Sequence, residues 1–129
     1  MIDNFTIASE WFDIAEIDLK SAKHLQKMIP TPLEVICYHC QQAAEKYLKG
    51  LLVLNEVEIP KTHDLVLLNE MCCKTNNRLV EVKQECKRLT VYAVVTRYPY
   101  KLDLNIDNVV LAIKNAESIR ELVLQNIKR

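Results

Sequence analysis

The scarcity of glycine is the feature that most constrains this fold. The chain of 129 residues contains one glycine and four prolines. Sheet proteins need many tight turns, and glycine is the usual residue at turn positions that require a positive φ. A chain nearly free of glycine therefore favours long helices with few connections. Half of its residues are hydrophobic, which is enough for one packed core, so we expect a single domain over residues 1–129.

Apolar residues recur at steps of three and four, which predicts amphipathic helices. The predicted helices span residues 6–28, 33–55, about 62–75, 79–96 and about 106–128. The fourth is extended through the β-branched run at 91–96, because nothing nearby offers a strand partner. The expected N-terminal caps are Thr6 or Ser9, Thr62, and Asn105 or Asp107. Short loops between long helices imply an all-α, antiparallel up-and-down bundle of about five helices.

The charge balance and the cysteine count bear on partners and location. The 17 basic and 17 acidic residues argue against strong bulk attraction to nucleic acid or to an anionic membrane, and leave a local basic patch possible. The N-terminal segment has scattered acidic residues and no continuous apolar run, so it is neither a signal peptide nor a membrane span. Five cysteines without a secretory context favour reduced thiols and a cytoplasmic protein.

Asp18 is the clearest departure from the helical pattern. It lies on the apolar stripe of the first helix, between Ala15 and Ala22. A carboxylate there must find hydrogen-bond donors or lose its charge. Asp18 therefore belongs either to a structural ion pair or hydrogen bond with a neighbouring helix, or to a binding site.

A polar stripe on the second helix is the next candidate. A helical wheel groups His39, Gln42, Lys46 and Lys49 on one side, where they form either a groove for phosphate or a base, or a solvated face. His63 begins the third helix, where free amides favour anions, although it can equally cap the helix and anchor the loop.

Arg97 and Tyr98 open the long connection before the last helix. An arginine beside a tyrosine can clamp a phosphate and stack a base. Arg97 can equally be the partner that Asp18 needs, or cap the end of the fourth helix.

Metal and cofactor motifs are weak. Cys37 and Cys40 form a C-x-x-C inside a helical pattern without a second matching pair, and Cys72 and Cys73 are adjacent. Helical core cysteines explain them better than zinc. The sequence has no glycine-rich phosphate loop and no His-Glu-x-x-His helix, so we expect no metal and no cofactor.

Four segments resemble the HEPN domain (higher eukaryotes and prokaryotes nucleotide-binding). They are W-F-D-I-A-E-I-D-L-K-S-A, C-Y-H-C-Q-Q-A-A-E-K-Y-L-K-G-L-L, P-K-T-H-D-L and R-Y-P, and together with the helix order they span essentially the whole chain. The resemblance implies an antiparallel helical bundle that pairs as a homodimer. It also implies a minimal nucleotidyltransferase as operon partner, often in a toxin–antitoxin module, and proposed nucleotide binding.

Several HEPN branches are metal-independent RNases, marked by an arginine followed four to six residues later by a histidine. Here the last histidine is His63 and the first arginine is Arg78, so that order cannot occur. We therefore favour a non-catalytic binding module for a nucleotide or polynucleotide. The predicted groove combines Asp18, His39, Gln42, Lys46, His63, Arg97 and Tyr98. The alternatives are an endoribonuclease toxin that uses His63 and Arg97, and a purely structural dimeric partner protein.

Overall fold

The computed structural model describes residues 2–94 and 103–127, apart from the side chain of Val94. Five α-helices form a bundle: α1 (Asn4–Leu25), α2 (Leu33–Leu54), α3 (Leu65–Thr75), α4 (Lys83–Leu89) and α5 (Ile106–Gln125). No strand occurs in the described ranges, so the predicted all-α bundle is confirmed. No helix there is both long enough and apolar enough to cross a bilayer.

The predicted helix ends were partly wrong. Asp3 caps α1 by accepting a hydrogen bond from the backbone N–H of Thr6, so neither Thr6 nor Ser9 is the cap. Asp64 caps α3 in place of Thr62. The hydroxyl of Thr62 instead accepts a hydrogen bond from the backbone N–H of Asp64. Asn105, one of the two predicted caps, caps α5 in a capping box with Asn108.

The predicted fourth helix is divided into three pieces. A 3₁₀ segment (Asn77–Val82) precedes α4, and a second 3₁₀ segment (Thr90–Val94) follows it. Buried Asn69 donates to the carbonyl of Leu79 at 2.8 Å, and so competes for an acceptor that a continuous α-helix would use. The end of the predicted helix, residues 95–96, lies outside the described residues.

Helix α2 lies at the centre of the bundle. It packs against α1, α3, α4, α5 and the second 3₁₀ segment, and more than half of its 22 residues are buried. The core contains large side chains from α2 and its neighbours, such as Tyr47, Leu51, Leu68 and Ile119. A helix covered on most sides must satisfy its polar side chains internally.

Gly50 of α2 lies against the side chain of Phe12 of α1. A Cβ atom at this position would lie 2.5 Å from Cε1 of Phe12, which is far inside van der Waals contact. The Phe12 ring also stacks on Tyr47, with ring centroids 6.3 Å apart. The single glycine therefore serves a helix–helix contact, while the left-handed residue that ends α2 is Glu56, with φ of 60°.

Candidate functional site

Asp18 is buried between α1 and α2, with both carboxylate oxygens in use. Oδ1 lies 3.0 Å from Nδ1 of His39, and Oδ2 lies 2.5 Å from Nζ of Lys46. The side chain of Asp18 is only 12% exposed, against 29% for His39 and 20% for Lys46. The structure therefore brings three of the predicted site residues into one cluster, the Asp18 cluster. This arrangement also realises the structural ion pair between helices that the sequence left open.

The Asp18 cluster borders an open groove of about 650 Å³. Its lining residues are Ile17, Lys20, Ser21, His24, Leu25 and His39. Two apolar side chains and three basic or imidazole side chains thus face one concave surface. This combination suits a ligand with an apolar body and an anionic group. Ile17 is 63% exposed, so the groove is open to solvent.

Sequence reasoning missed most of this groove. His39 was singled out, but His24 was assigned no role and Lys20 and Ser21 were not considered. These residues follow Ile17 at steps of three, four and seven, which places them on one face of a helix. That spacing was a usable signal. The sequence alone does not show that His39 of α2 borders the same face of α1.

A second polar network surrounds Glu45 on another side of α2. The carboxylate of Glu45 accepts from Nε2 of Gln41 at 3.2 Å, from Nζ of Lys49 at 3.0 Å and from Nδ1 of His63 at 2.9 Å. Gln42 joins it indirectly, because its amide donates to the Gln41 side chain at 2.8 Å. Gln41 and Glu45 are buried, although a wheel places both on the polar arc of the helix.

Of the two alternatives for the stripe on α2, the solvated face is therefore wrong for Lys49. Its side chain is 9% exposed, and Nζ lies 5.8 Å from the centre of the Trp11 ring, within cation–π range. Of the four stripe residues, His39 and Lys46 join the Asp18 cluster, and Gln42 and Lys49 join the Glu45 network.

His63 anchors the connection between α2 and α3. Its carbonyl accepts from Gln41 at 3.0 Å, while its ring contacts Glu45. The imidazole is 69% exposed, so one ring edge is held and the other faces solvent. Arg97 and Tyr98 lie outside the described residues. The loop-anchoring role that the sequence allowed for His63 is present, and its binding role stays a prediction.

A third network joins the two ends of the chain. Arg120 of α5 donates from Nε to Glu16 of α1 at 2.5 Å and from Nη2 at 3.1 Å. The Tyr47 hydroxyl donates to the same carboxylate. The hydrogen bonds to Glu16 raise the pKa of the Arg120 guanidinium above its ordinary value. No pattern in the sequence indicated this pairing, because its members are 104 residues apart.

The cysteines are free thiols, and Cys37, Cys40, Cys72 and Cys86 are buried. Burial raises the pKa of Cys37 to about 11 and that of Cys72 to about 12. Thiols so rarely ionised at neutral pH are poor nucleophiles. Within the described ranges, no cluster of His, Cys, Asp or Glu is arranged to hold a metal ion.

Comparisons with known proteins give a consistent result. The profile of the HEPN domain family matches residues 8–127. The crystal structure of an archaeal HEPN homologue superposes with a TM-score of 0.76 and 25% identity, covering 99% of this chain and 100% of that one. The crystal structure of a protein from Thermus thermophilus has a TM-score of 0.81 at 23% identity, covering 93% and 98%, and shows the fold alone. The search of curated proteins finds no significant match.

Proposed function

Because the chain belongs to the HEPN domain family, we propose that it is a HEPN-type binding module for a nucleotide or the phosphate of a polynucleotide. The groove beside the Asp18 cluster carries this proposal. Lys20 supplies positive charge, His24 and His39 donate to phosphate oxygens when protonated, and Ile17 and Leu25 offer an apolar surface for a base. A local basic groove of this kind is compatible with a net charge of zero over the whole chain.

Lys46 supports the groove through Asp18 in this proposal. Its ammonium group contacts Oδ2 of Asp18 at 2.5 Å and does not line the groove, so the direct phosphate contacts fall to Lys20, His24 and His39. The sequence-based assignment of Lys46 to phosphate contact is thereby refined to a positioning role. Gln42 and His63 belong to the Glu45 network, which lies on another side of α2 and holds the following loop.

Titration of the purified protein with fluorescently labelled ATP and short RNAs tests the binding proposal. We expect Lys20→Ala to weaken binding by about tenfold, the loss of one charge-assisted contact. Lys87→Ala is the matched control, because Lys87 is an exposed lysine on α4 that does not line the groove. Equal effects of the two variants, or no binding to the wild type, would refute the proposal. RNA cleavage that His63→Ala abolishes would instead support the endoribonuclease alternative.

We extend the proposal to a homodimer and to a minimal nucleotidyltransferase partner encoded nearby, as a toxin–antitoxin pair. Family membership supports these partners. Light scattering on the purified chain tests the dimer, for which the expected mass is twice 15.0 kDa. Co-purification with the neighbouring gene product tests the pair, and growth with and without that gene tests toxicity. A monomer that co-purifies with no nucleotidyltransferase would contradict this part.

A further inference from the structure

Asp18 determines which ring nitrogen of His39 carries the proton. An ionised carboxylate only accepts hydrogen bonds, and Oδ2 of Asp18 already accepts from the ammonium group of Lys46 at 2.5 Å. Nδ1 of His39, 3.0 Å from Oδ1, must therefore be the donor. In a neutral imidazole only one nitrogen bears hydrogen, so Nε2 of neutral His39 carries a lone pair.

The direction of this hydrogen bond has a consequence for any ligand in the groove. A lone pair on Nε2 accepts from a hydroxyl or amine and repels the oxygens of a phosphate. After protonation, Nε2–H donates and the ring is positively charged. We propose that His39 is a specificity-determining residue of the groove, which binds a phosphate oxygen only as imidazolium and, when neutral, selects a hydrogen-bond donor of the ligand. This inference rests on the proposed phosphate binding.

Several charged or titratable groups lie near His39 and also affect anion binding in the groove. Asp18 contacts Nδ1, Lys46 balances the second oxygen of Asp18, and Lys20 and His24 line the same groove from α1. His24 is itself an imidazole, a side chain that can gain or lose a proton near neutral pH. Its effect on anion binding must be separated from that of His39. His24 has no carboxylate on Nδ1 among the described contacts, so its tautomer is not fixed in this way.

Proton linkage gives a measurable signature. When neutral His39 binds an anion through Nε2, one proton is taken up from solvent and stays on that nitrogen. The dissociation constant for the anion therefore rises with pH, by up to about tenfold per pH unit where His39 is neutral. A dinucleotide with one phosphodiester is a suitable probe, because its single negative charge does not change near neutral pH.

Calorimetric titrations of the dinucleotide between pH 5.5 and 8.5 test the linkage. Buffers of different ionisation enthalpy report the proton uptake directly. We expect His39→Asn to remove most of the pH dependence and His24→Gln to retain most of it. Asp18→Asn should flatten it, because the Asn amide can donate to Nδ1, and neutral His39 can then carry its proton on Nε2 and still donate to the anion.

NMR of the ¹⁵N-histidine-labelled wild type gives a second test that needs no ligand and no stable Asp18 variant. We expect the neutral His39 signal, assigned with His39→Asn, to show the Nδ1–H tautomer. An Nε2–H tautomer overturns the inference. So does dinucleotide binding without pH dependence, or pH dependence that only His24→Gln removes. An absence of dinucleotide binding at every pH, with the Nδ1–H tautomer present, refutes the proposed function and with it the ligand selection, but not the tautomer assignment.

Discussion

The guanidinium of Arg120 donates two hydrogen bonds to the carboxylate of Glu16, from Nε at 2.5 Å and from Nη2 at 3.1 Å. These bonds join the last helix of the bundle to the first. This fork-to-fork geometry restricts both side chains and is stronger than a single contact. Both side chains are about one-third exposed, at 36% and 32%, so solvent screens part of the attraction.

We expect Arg120→Ala to lower the free energy of unfolding by about 1 kcal/mol. The matched control is Arg78→Ala, which removes an exposed pair with Glu81 at 3.4 Å and should cost less than about 0.5 kcal/mol. Urea unfolding of both variants measures the difference. Equal losses of stability in the two variants would show that the bidentate geometry contributes no additional stability.

Gly50→Ala should destabilise the protein, although alanine is the better helix former by about 1 kcal/mol. The added methyl group would lie 2.5 Å from Cε1 of Phe12. Overpacking of this kind costs roughly 1–3 kcal/mol. Phe12→Leu in the Gly50→Ala background should recover part of the loss, as measured by thermal unfolding. A Gly50→Ala variant that is as stable as the wild type would contradict the close approach.

Glu56→Gly should have the opposite effect. Glu56 adopts a φ of 60° after the end of α2, and the left-handed conformation costs a non-glycine residue about 1–2 kcal/mol. The greater flexibility of glycine in the unfolded chain offsets part of this, so we expect a net gain of roughly 0.5–1 kcal/mol. Glu58→Gly, in the same connection but without a positive φ, should bring no gain. If both variants lose stability equally, the prediction is wrong.

Asp18→Ala should lower the free energy of unfolding by about 2–3 kcal/mol, because it leaves Lys46 and His39 without their shared acceptor. Asp13→Ala on the exposed face of the same helix controls for the loss of an acidic residue from α1 and should change stability little. Circular dichroism during chemical unfolding compares the two. If only Asp13→Ala loses stability, or if both variants lose similarly little, Asp18 does not stabilise the fold in this way.

Alkaline pH should destabilise the fold through its buried thiols. Burial raises the pKa of Cys37 to about 11 and of Cys72 to about 12 from an ordinary 9.0. Between the ordinary pKa of 9.0 and these raised values, the unfolded chain has released thiol protons that the folded chain retains. The stabilisation is therefore complete below about pH 9 and declines as the pH rises towards 11 and 12.

Unfolding midpoints at pH 8 and pH 10 test this dependence. Cys72→Ala should show a smaller decrease between the two conditions than the wild type. Cys73→Ala should behave nearly like the wild type, because the neighbouring thiol is only partly buried. The slope between the two pH values is the readout, since the alanine substitutions change packing as well. An unchanged slope in Cys72→Ala would contradict the assignment.

Local sequence information predicted most of the fold. Helical spacing depends on residues three and four positions apart, so four of the five helices were placed within a few residues, whereas the fourth was predicted too long. Caps were harder, because several suitable residues stand close together near α1 and α3 and the exact register of one N–H group decides among them. Asn105 was one of two residues predicted to cap α5, whereas Asp3 and Asp64 were not predicted.

The candidate site, like the fold, was predicted only in part from the sequence. Asp18 was found from the sequence because one carboxylate interrupted an apolar stripe. Its partners were left open, since hydrogen bonds across 21 and 28 residues leave no periodic signal. The groove residues Lys20 and His24 carried a signal that has meaning only once His39 is known to border them.

The sequence by itself determined the helical class, the faces of each helix and the isolated position of Asp18, because these follow from short-range periodicity and side-chain chemistry. Only the tertiary structure decided which element covers each face. The central position of α2 buries Gln41, Glu45 and Lys49 against other parts of the chain, although a helical wheel places all three on the polar side of the helix. A wheel reports which residues share a side of a helix, whereas burial depends on what packs against that side.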